Sequence, residues 1–335
     1  MSDPVALSIL EPSQVGEARR KAIALAGRLG FNETQQGKVG IVVTEIANNL
    51  VQHARDGLLL LQSKFKNDIA GVEIIALDSG PGMFNIDECW RDGFSTGETA
   101  GNGLGAITRL SAFVDIYSMP NLGTAIVAQL WAKPSSNSLL TDKLEVGVVC
   151  LPKTGEEVSG DAWATYQQAT RSLLLVADGL GHGPQAAQAS SAAVRVFQEN
   201  ASMNSAAIVE ATHGALRSTR GAAMAIAEVD FEHQTAHYTG VGNIASRILT
   251  AQSSHSMVSH NGTVGHDVRK IHEFSYPWSK EALLIMHSDG LKTHWDLERY
   301  PGLLYKHPSL IAAILYRDFN RGRDDVTVLV AREGE

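Results

Sequence analysis

Apolar side chains near the start of the chain recur at helical spacing. Between Glu11 and Leu29 they return every three or four residues, which predicts a helix that stops at Gly30. A second helix is predicted over Gln36–His53, and its buried face is formed by Val39, Val42, Val43, Ile46 and Leu50. Both patterns are typical of helices that pack one face against a core.

A polar strip lies beside the buried face of the second predicted helix. Glu45, Asn49 and His53 follow one another at intervals of four and are therefore neighbours. Asn48 and Asn49 are poor choices for a helix interior, because their side chains compete for backbone hydrogen bonds. Such a violation of local preference indicates a functional site, although a solvated helix face would produce the same pattern.

Apolar runs and glycine clusters alternate after this helix. The runs predict strands and a helix over Leu58–Leu61, Gly71–Leu77, Leu104–Phe113, Val114–Ser118 and Thr124–Trp131. The second strand ends in DSGPGM, where Asp78 can accept from an amino group and the glycines allow a ring to approach. The glycine-rich stretch Asp92–Gly105 runs directly into a helix, so it can surround phosphates and present helix N-terminal amides to them.

A Pro- and Ser-rich segment, Lys133–Thr141, separates this half from the next and predicts a linker. We therefore expect domains at 1–132 and 143–335, joined by 133–142. In the second half, strands are predicted over Leu144–Leu151 and Ala282–Met286, and a further strand ends at Asp178. A hairpin is predicted from Gly221–Asp230 and Thr235–Val241, and helices over Pro184–Phe197 and Ala206–Ser218.

Aspartates stand at the ends of these strands or in turns. Asp161 is predicted in a turn, Asp178 ends a buried strand, Asp289 follows another, and Asp324 and Asp325 open the last. Chance turns would give the same positions, but each strand is apolar enough to be buried, and a buried carboxylate requires a partner. Converging carboxylate and carbonyl oxygens suit Mg²⁺ or Mn²⁺, and two such ions can ionise a water for attack on a phosphate ester.

Composition narrows the class of protein. The 335 residues suffice for two domains, and the formal net charge of −8 argues against a nucleic-acid partner. No apolar run is long enough for a membrane span, and the N-terminus lacks the pattern of a secretory signal. Two cysteines suit a reducing compartment. We therefore expect a cytoplasmic protein without membrane or nucleic-acid partners; the oligomeric state stays open.

The first half resembles the Bergerat-type ATPase fold of histidine kinases, gyrase and heat-shock chaperones. The resemblance covers roughly residues 10 to 131 and rests on TEIANNLVQHA, DSGPGM, GNGLG and the pair Gly123–Thr124. It implies that Glu45 is a general base, that Asn49 holds Mg²⁺ and that Asp78 recognises the adenine of ATP. The rest of the implied nucleotide site comprises His53, Gly80, Gly82, Gly101, Gly103, Leu104, Gly105 and Thr124.

Within that fold, the run from DGFSTGETAGNGLG to GTAIVAQLW is most similar to the RsbT-type switch kinases. These relatives of anti-sigma factors phosphorylate a serine or threonine on a STAS-domain protein. A histidine kinase would need a phosphoacceptor helix pair before the second helix, and the chain has no room for one. The resemblance therefore implies a STAS-domain protein as substrate.

The second half resembles the SpoIIE/RsbX branch of the PP2C-type phosphatases over about residues 144 to 332. The similar motifs are SGD, VADGLGHG, SDG and DDVT. This resemblance implies that Asp178 bridges two metals, with help from the Gly179 carbonyl. It also implies that Asp289 and Asp324 complete one metal site and that Asp161 holds the other metal through water. His182 is either a proton donor or, more simply, a loop histidine packed over the site, and His287 is interpreted as a strand residue.

Three features depart from the larger PP2C enzymes. Gly160 stands where they have a glutamate, Asp325 replaces an asparagine, and no arginine that would grip phosphate is evident. These departures leave the number of metals open.

The sequence thus predicts a two-domain α/β protein. An N-terminal Bergerat α/β sandwich, with helices on one face of a mixed sheet, precedes a C-terminal PP2C-like α-β-β-α sandwich. The predicted function is a bifunctional partner-switching regulator of a bacterial stress or sigma-factor pathway, both Ser/Thr kinase and Ser/Thr phosphatase, using ATP, Mg²⁺ and Mn²⁺. The alternative is an ATP-binding regulatory or sequestering module that controls the phosphatase and has no kinase activity.

Overall fold

The computed structural model describes residues 4–66, 69–84, 103–133 and 142–334. These separate into two compact units, Met1–Thr141 and Asp142–Glu335. Most of the predicted linker, from 134 to 141, lies outside the described residues, so the domain limits at 132 and 143 stay a prediction. No helix within the described ranges is both long and apolar enough to cross a membrane.

The first unit places three described helices against a five-stranded sheet. Its elements are β1 (Val5–Ser8), α1 (Pro12–Arg28), α2 (Glu33–His53), β2 (Leu58–Lys66), β3 (Ile69–Leu77), α3 (Gly103–Leu110), β4 (Phe113–Met119) and β5 (Gly123–Trp131). The strand order is β1-β2-β3-β5-β4. Every strand pair is antiparallel, so the expectation of a mixed sheet is wrong. The physical reason is that β2–β3 and β4–β5 are hairpins, which reverse the chain between neighbours.

Local capping makes α2 longer than its apolar period indicates. The Asn32 side chain accepts a hydrogen bond from the Gln35 backbone amide, and the Gln35 side chain accepts one from the Asn32 amide, both at 2.9 Å. This capping box satisfies two amides at the helix start, so α2 begins at Glu33 rather than at Gln36. The core of the unit lies between these helices and one face of the sheet, where Val43, Ile46, Ile74 and Ile126 pack together.

The second unit is a sandwich of two sheets with helices outside. Its strands are β6 (Leu144–Leu151), β7 (Asp161–Gln167), β8 (Arg171–Gly179), β9 (Ala222–Asp230), β10 (Thr235–Val241), β11 (Ala245–Leu249), β12 (Ser254–Met257), β13 (Ser259–His260), β14 (Gly262–Thr263), β15 (Asp267–Val268), β16 (Phe274–Pro277), β17 (Leu283–His287) and β18 (Val326–Glu333). Its helices are α4 (Pro184–Glu199), α5 (Ser205–Ala215) and α6 (Pro308–Phe319), with 3-10 turns at Leu216–Ser218, Leu297–Arg299 and Leu303–Tyr305.

Two sheets bury a common core between them. Their strand orders are β13-β10-β9-β8-β7, with β16 beside β10, and β12-β11-β17-β18-β6. That core includes Leu174, Val176, Leu284 and Leu329. Helices α4 and α5 cover the outer face of the first sheet, and α6 packs on β6 and β18 of the second. The predicted α-β-β-α architecture is confirmed.

Three parts of the second unit differ from the predictions. Asp161 begins strand β7 instead of lying in a turn. Helix α5 ends at Ala215, and the predicted last turn is a 3-10 turn. Helix α6 was not predicted, because every residue from Pro308 to Leu315 is buried and a helix without a polar face shows no amphipathic period.

Candidate functional site

Asp161 and Asp178 face each other across two neighbouring strands. Strand β7 begins at Asp161, and the antiparallel register of β7 with β8 pairs it directly with Asp178. Burial raises the pKa of Asp178 to about 9, and the charges of nearby aspartates, Asp161 first among them, add to the shift. Burial also raises the pKa of Asp161 to about 7, against the opposing effects of the side-chain hydroxyls of Ser288 and, more weakly, Thr327. Two such carboxylates require protons or a cation between them.

Further aspartates come from the second sheet. Asp289 follows β17 by two residues, and Asp324 and Asp325 stand directly before β18. Because β17 and β18 are antiparallel neighbours, the end of one lies beside the start of the other. The charges of all three carboxylates raise the pKa of Asp178, so strand ends from both sheets converge on one acidic centre.

The carboxylates of this acidic centre are held by donors of the protein. The hydrogen bonds are Asp161 Oδ2 with Ser288 Oγ at 2.6 Å, Asp289 Oδ2 with Asn243 Nδ2 at 2.7 Å, Asp325 Oδ1 with Lys153 N at 2.8 Å and Asp324 Oδ1 with Asp325 N at 3.0 Å. Within the described ranges, no three His, Cys, Asp or Glu side chains are close enough to hold one ion as they stand.

The donor chemistry nevertheless fits a hard divalent cation. Carboxylate oxygens dominate the centre, and Mg²⁺ and Mn²⁺ prefer such ligands. Asp161 Oδ1 is buried and has no hydrogen-bond partner among the described residues. A buried oxygen without a donor is unfavourable, and a cation or its bound water would satisfy it.

The loop after β8 packs closely on the start of helix α4. A Cβ placed on Gly179 would lie 2.1 Å from the Ala186 carbonyl oxygen, so only glycine fits there. The backbone of Gly179 pairs with Ala222 of β9. The predicted role of the Gly179 carbonyl as a metal ligand stays a prediction.

His182 in the same loop pairs with a glutamate. Its Nδ1 atom lies 2.6 Å from Glu156 Oε1, and the histidine side chain is 47% exposed. A Cβ on Gly183, which has φ +74°, would lie 2.9 Å from Glu156 Oε2. The geometry therefore places His182 in a surface loop, tied by Glu156 to the segment before β7.

Gly160 and Asp325, two positions at which the sequence departs from the larger PP2C enzymes, lie side by side. A Cβ on Gly160 would stand 2.6 Å from Asp325 Oδ2 and 2.8 Å from the Ala186 Cβ. Asp325 is 3% exposed and accepts the Lys153 amide at 2.8 Å. Asp325 therefore braces the loop between β6 and β7, and any larger residue at 160 would displace it.

An arginine that sequence reasoning missed lies beside the Gly179–Gly183 loop. A Cβ on Gly181 would lie 2.9 Å from Arg220 Nη1. The backbone fixes this approach, because the Leu180 amide donates to the Gly221 carbonyl at 3.0 Å. Arg220 is exposed, and its guanidinium makes no hydrogen bond or ion pair with other described residues. No motif marks it, since only pairing between β8 and β9 brings it to the loop.

The raised pKa values of the acidic centre predict a pH dependence of stability without metal. Between pH 6 and pH 8 the folded protein keeps a proton on Asp178, and below about pH 7 a second one on Asp161, that the unfolded chain has lost. The free energy of unfolding must therefore fall as pH rises. In EDTA we expect a melting temperature lower by roughly 5 °C at pH 8 than at pH 6. Mn²⁺ should restore most of this loss at pH 8, because a cation replaces the protons.

Calorimetry of the wild type and Asp178→Asn at both pH values checks this expectation. The variant lacks the carboxyl with the most strongly raised pKa, so its melting temperature should change less with pH. A wild-type melting temperature that rises from pH 6 to pH 8 would contradict the expectation.

In the first unit, α2 and α3 bring together the predicted kinase residues. A Cβ on Gly103, the first residue of α3, would lie 3.1 Å from Glu45 Oε2 and 3.8 Å from Asn49 Oδ1. Both polar side chains are half-buried on α2. A phosphate bound at the start of α3 would therefore meet a carboxylate and an amide oxygen, the groups needed to orient a hydroxyl and hold Mg²⁺.

The DSGPGM turn packs between α2 and the β4–β5 hairpin. Asp78 Oδ1 accepts the Gly80 amide at 2.6 Å, and the Asp78 amide donates to the Thr124 carbonyl at 3.0 Å. Gly82 has φ +69°, and a Cβ there would lie 2.0 Å from the Met119 carbonyl oxygen. The Thr124 hydroxyl is hydrogen-bonded to that of Ser118 at 2.8 Å. These contacts place Asp78 and Thr124 on adjacent strands at one edge of the predicted pocket.

The remaining predicted nucleotide residues divide into three groups. Leu104 and Gly105 pack on the core side of α3. His53 is exposed at the end of α2, and its carbonyl oxygen would lie 2.8 Å from a Cβ on Gly80. Gly101 lies outside the described residues. The roles assigned to these residues stay predictions.

Comparison with known proteins identifies both halves. Residues 10–130 match the family described as "Histidine kinase-like ATPase domain", and residues 168–333 match "Stage II sporulation protein E (SpoIIE)". The serine/threonine-protein kinase RsbT of Bacillus subtilis is 30% identical over 133 residues, which are 40% of this chain and 100% of RsbT. The phosphoserine phosphatase RsbX of Bacillus subtilis is 28% identical over 152 residues, 45% of this chain and 76% of RsbX.

Solved structures are similar as well, and one of them is close to 30% identical. That structure is described as "The bacterial stressosome: a modular system that has been adapted to control secondary messenger signaling". Its chain is 29% identical to this one, with a TM-score of 0.54. The match covers 57% of this chain and 100% of that chain. The chain therefore belongs to the RsbT-like family of histidine kinase-like ATPase domains through its N-terminal unit, which it joins to a SpoIIE-type PP2C phosphatase domain.

Proposed function

We propose that this chain is a bifunctional partner-switching regulator. Its N-terminal unit transfers the γ-phosphoryl group of ATP to a serine or threonine of a STAS-domain protein, and its C-terminal unit hydrolyses the resulting phosphate ester. The observation that carries the proposal is the pairing of Asp161 with Asp178 inside an acidic centre built from both sheets. The similarity to RsbT and to RsbX supports one activity each.

For the kinase half, Glu45 is the general base. Its carboxylate orients the substrate hydroxyl and accepts its proton as the oxygen bonds to phosphorus and ADP leaves. Asn49 would hold the Mg²⁺ that neutralises the transferred phosphoryl group. The closeness of Gly103 to both side chains supports this arrangement, because a side chain at 103 would fill the space for the phosphate.

For the phosphatase half, bound Mg²⁺ or Mn²⁺ would supply an ionised water and neutralise charge on the phosphate. Asp178, Asp289 and Asp324 would hold these ions directly, and Asp161 would do so through water. Overall, a water oxygen bonds to phosphorus as the bond from phosphorus to the serine oxygen breaks, and a proton of that water ends on the serine oxygen. The buried, unpartnered Asp161 Oδ1 supports this arrangement.

Arg220 is proposed to bind the phosphate of the phosphoprotein. A guanidinium matches phosphate with two parallel hydrogen bonds, and this one lies beside the loop that follows Asp178. We expect Arg220→Met to raise the KM for phosphoprotein about tenfold with little change in kcat. Arg217→Met, an exposed arginine in the preceding 3-10 turn, is the control. Equal KM values in both variants would reject this role.

The experiment that tests the whole proposal uses the purified full chain, γ-labelled ATP and candidate STAS-domain proteins, with Mn²⁺ added in a second step. Label should enter a STAS-domain protein first and leave it as inorganic phosphate afterwards. Release of phosphate from a chemically phosphorylated partner without any transfer from ATP would favour the ATP-binding regulatory module instead. Neither transfer nor release with any partner would reject the proposal.

A further inference from the structure

A continuous chain of hydrogen bonds runs behind the acidic centre. The Trp295 indole Nε1 donates to His287 Nε2 at 3.0 Å, and His287 Nδ1 lies 2.9 Å from the Ser288 carbonyl oxygen. An indole nitrogen can only donate, so Nε2 of the histidine must accept. The histidine proton therefore sits on Nδ1 and is donated to the Ser288 carbonyl, which fixes one neutral tautomer. Burial also lowers the pKa of His287, which favours the same neutral form.

Ser288 is held on three sides. Its amide donates to the Thr327 carbonyl at 3.0 Å, its carbonyl accepts from His287, and its hydroxyl oxygen accepts the Thr327 amide at 2.9 Å. The same hydroxyl lies 2.6 Å from Asp161 Oδ2. When Asp161 is ionised, its oxygens can only accept, so the single proton of the hydroxyl points at Asp161. In that state the direction of every hydrogen bond from Trp295 to Asp161 is determined.

The consequence for Asp161 is a fixed orientation. Its Oδ2 atom is occupied by Ser288, while Oδ1 is buried and without a partner among the described residues. Asp161 begins β7 of the first sheet and Ser288 directly follows β17 of the second, so this hydrogen bond is one of those that connect the two sheets at the acidic centre. The outer end of the chain is anchored by the Arg247 guanidinium, which stacks 4.6 Å from the centre of the Trp295 ring.

We propose that Ser288 is a positioning residue of the phosphatase site, and that Trp295 and His287 act through it. Together they hold Asp161 so that Oδ1 is available to a divalent cation or its water. The inference rests on the proposed phosphatase function. Partners behind a metal-binding group typically change metal affinity by 10- to 100-fold when they are lost. The readout is therefore Mn²⁺ affinity, and phosphatase activity is a second measurement.

Isothermal titration of the full chain with Mn²⁺ tests the proposal. We expect Ser288→Ala to weaken Mn²⁺ binding about tenfold. The matched control is Ser205→Ala, because Ser205 is also buried and also donates to a carboxylate, that of Glu273, at 2.6 Å. The control should bind Mn²⁺ like the wild type although it loses a similar hydrogen bond. A hydroxyl that only stabilised the fold would lower the melting temperature in both variants and leave the affinity unchanged.

A double-mutant cycle tests whether the hydrogen bonds from Trp295 to Asp161 act together. Trp295→Phe keeps a ring but removes the indole donor, and we expect about threefold weaker Mn²⁺ binding. In the Ser288→Ala background the same change should have no further effect, because the connection to Asp161 is already lost. Equal affinities of Ser288→Ala and wild type would overturn the positioning role, and additive effects would overturn the connection through His287. Failure of the wild type to bind Mn²⁺ would instead reject the phosphatase proposal.

Discussion

Replacing Asp178 with asparagine is expected to abolish phosphatase activity and at the same time to stabilise the protein without metal. Activity should fall at least 10³-fold, because the variant loses a carboxylate proposed to hold the catalytic ions. Stability should rise, because Asp178 is buried among other carboxylates and its pKa is raised to about 9. Near pH 8 the folded protein must either keep a proton there or bear a buried charge, and asparagine requires neither. Phosphate release from a phosphoprotein and calorimetry in EDTA measure the two effects.

The matched control is Asp230→Asn, at the other end of the same sheet. The backbone amide of His233 lowers the pKa of Asp230, so its charge is favoured in the folded state. We expect this variant to keep full activity and to gain no stability. If Asp178→Asn kept more than a tenth of wild-type activity, Asp178 would not be an essential metal ligand. If it melted below the wild type in EDTA, the acidic centre would not be under repulsion.

Glu45→Gln is expected to abolish phosphoryl transfer while leaving ATP binding intact. The amide keeps the size of the side chain and its place beside Gly103 but cannot accept the proton of the attacking hydroxyl. Removal of a general base slows a reaction by about 10²- to 10⁴-fold. Phosphoryl transfer should be measured in the Asp178→Asn background, so that the phosphatase half does not remove the label from the STAS-domain protein before it is counted. ATP affinity should stay within a factor of about three, because Asn49 and the glycine backbone are unchanged.

Glu33→Gln, an exposed glutamate in the first turn of the same helix, is the control and should transfer label normally. Transfer by Glu45→Gln at the wild-type rate would show that another group accepts the proton. ATP binding without transfer in the Asp178→Asn background, where Glu45 is intact, would favour the regulatory-module alternative.

Local pattern predicted most of the elements around both sites. The strand, glycine turn and helix around Asp178 follow from an apolar run, a glycine cluster and Pro184 at a helix start, and the structure has each. The β4–β5 hairpin and α2 were predicted for similar reasons, and His287 is a buried strand residue as expected. Helix α6 escaped prediction because burial on all sides removes its amphipathic period.

The sequence by itself determined the order of the two halves, most of the helices and strands around both sites, and the positions of Glu45, Asn49, Asp178 and Asp289 relative to them. Those features depend on contacts between residues close along the chain, which periodicity and turn chemistry express. Only the tertiary structure placed Asp161 opposite Asp178, Arg220 beside Gly181, and Ser288 against Asp161. The last contact joins positions 127 residues apart. Strand register and sheet packing decide such contacts, and a shift of one residue would turn Asp161 to the opposite face of its sheet.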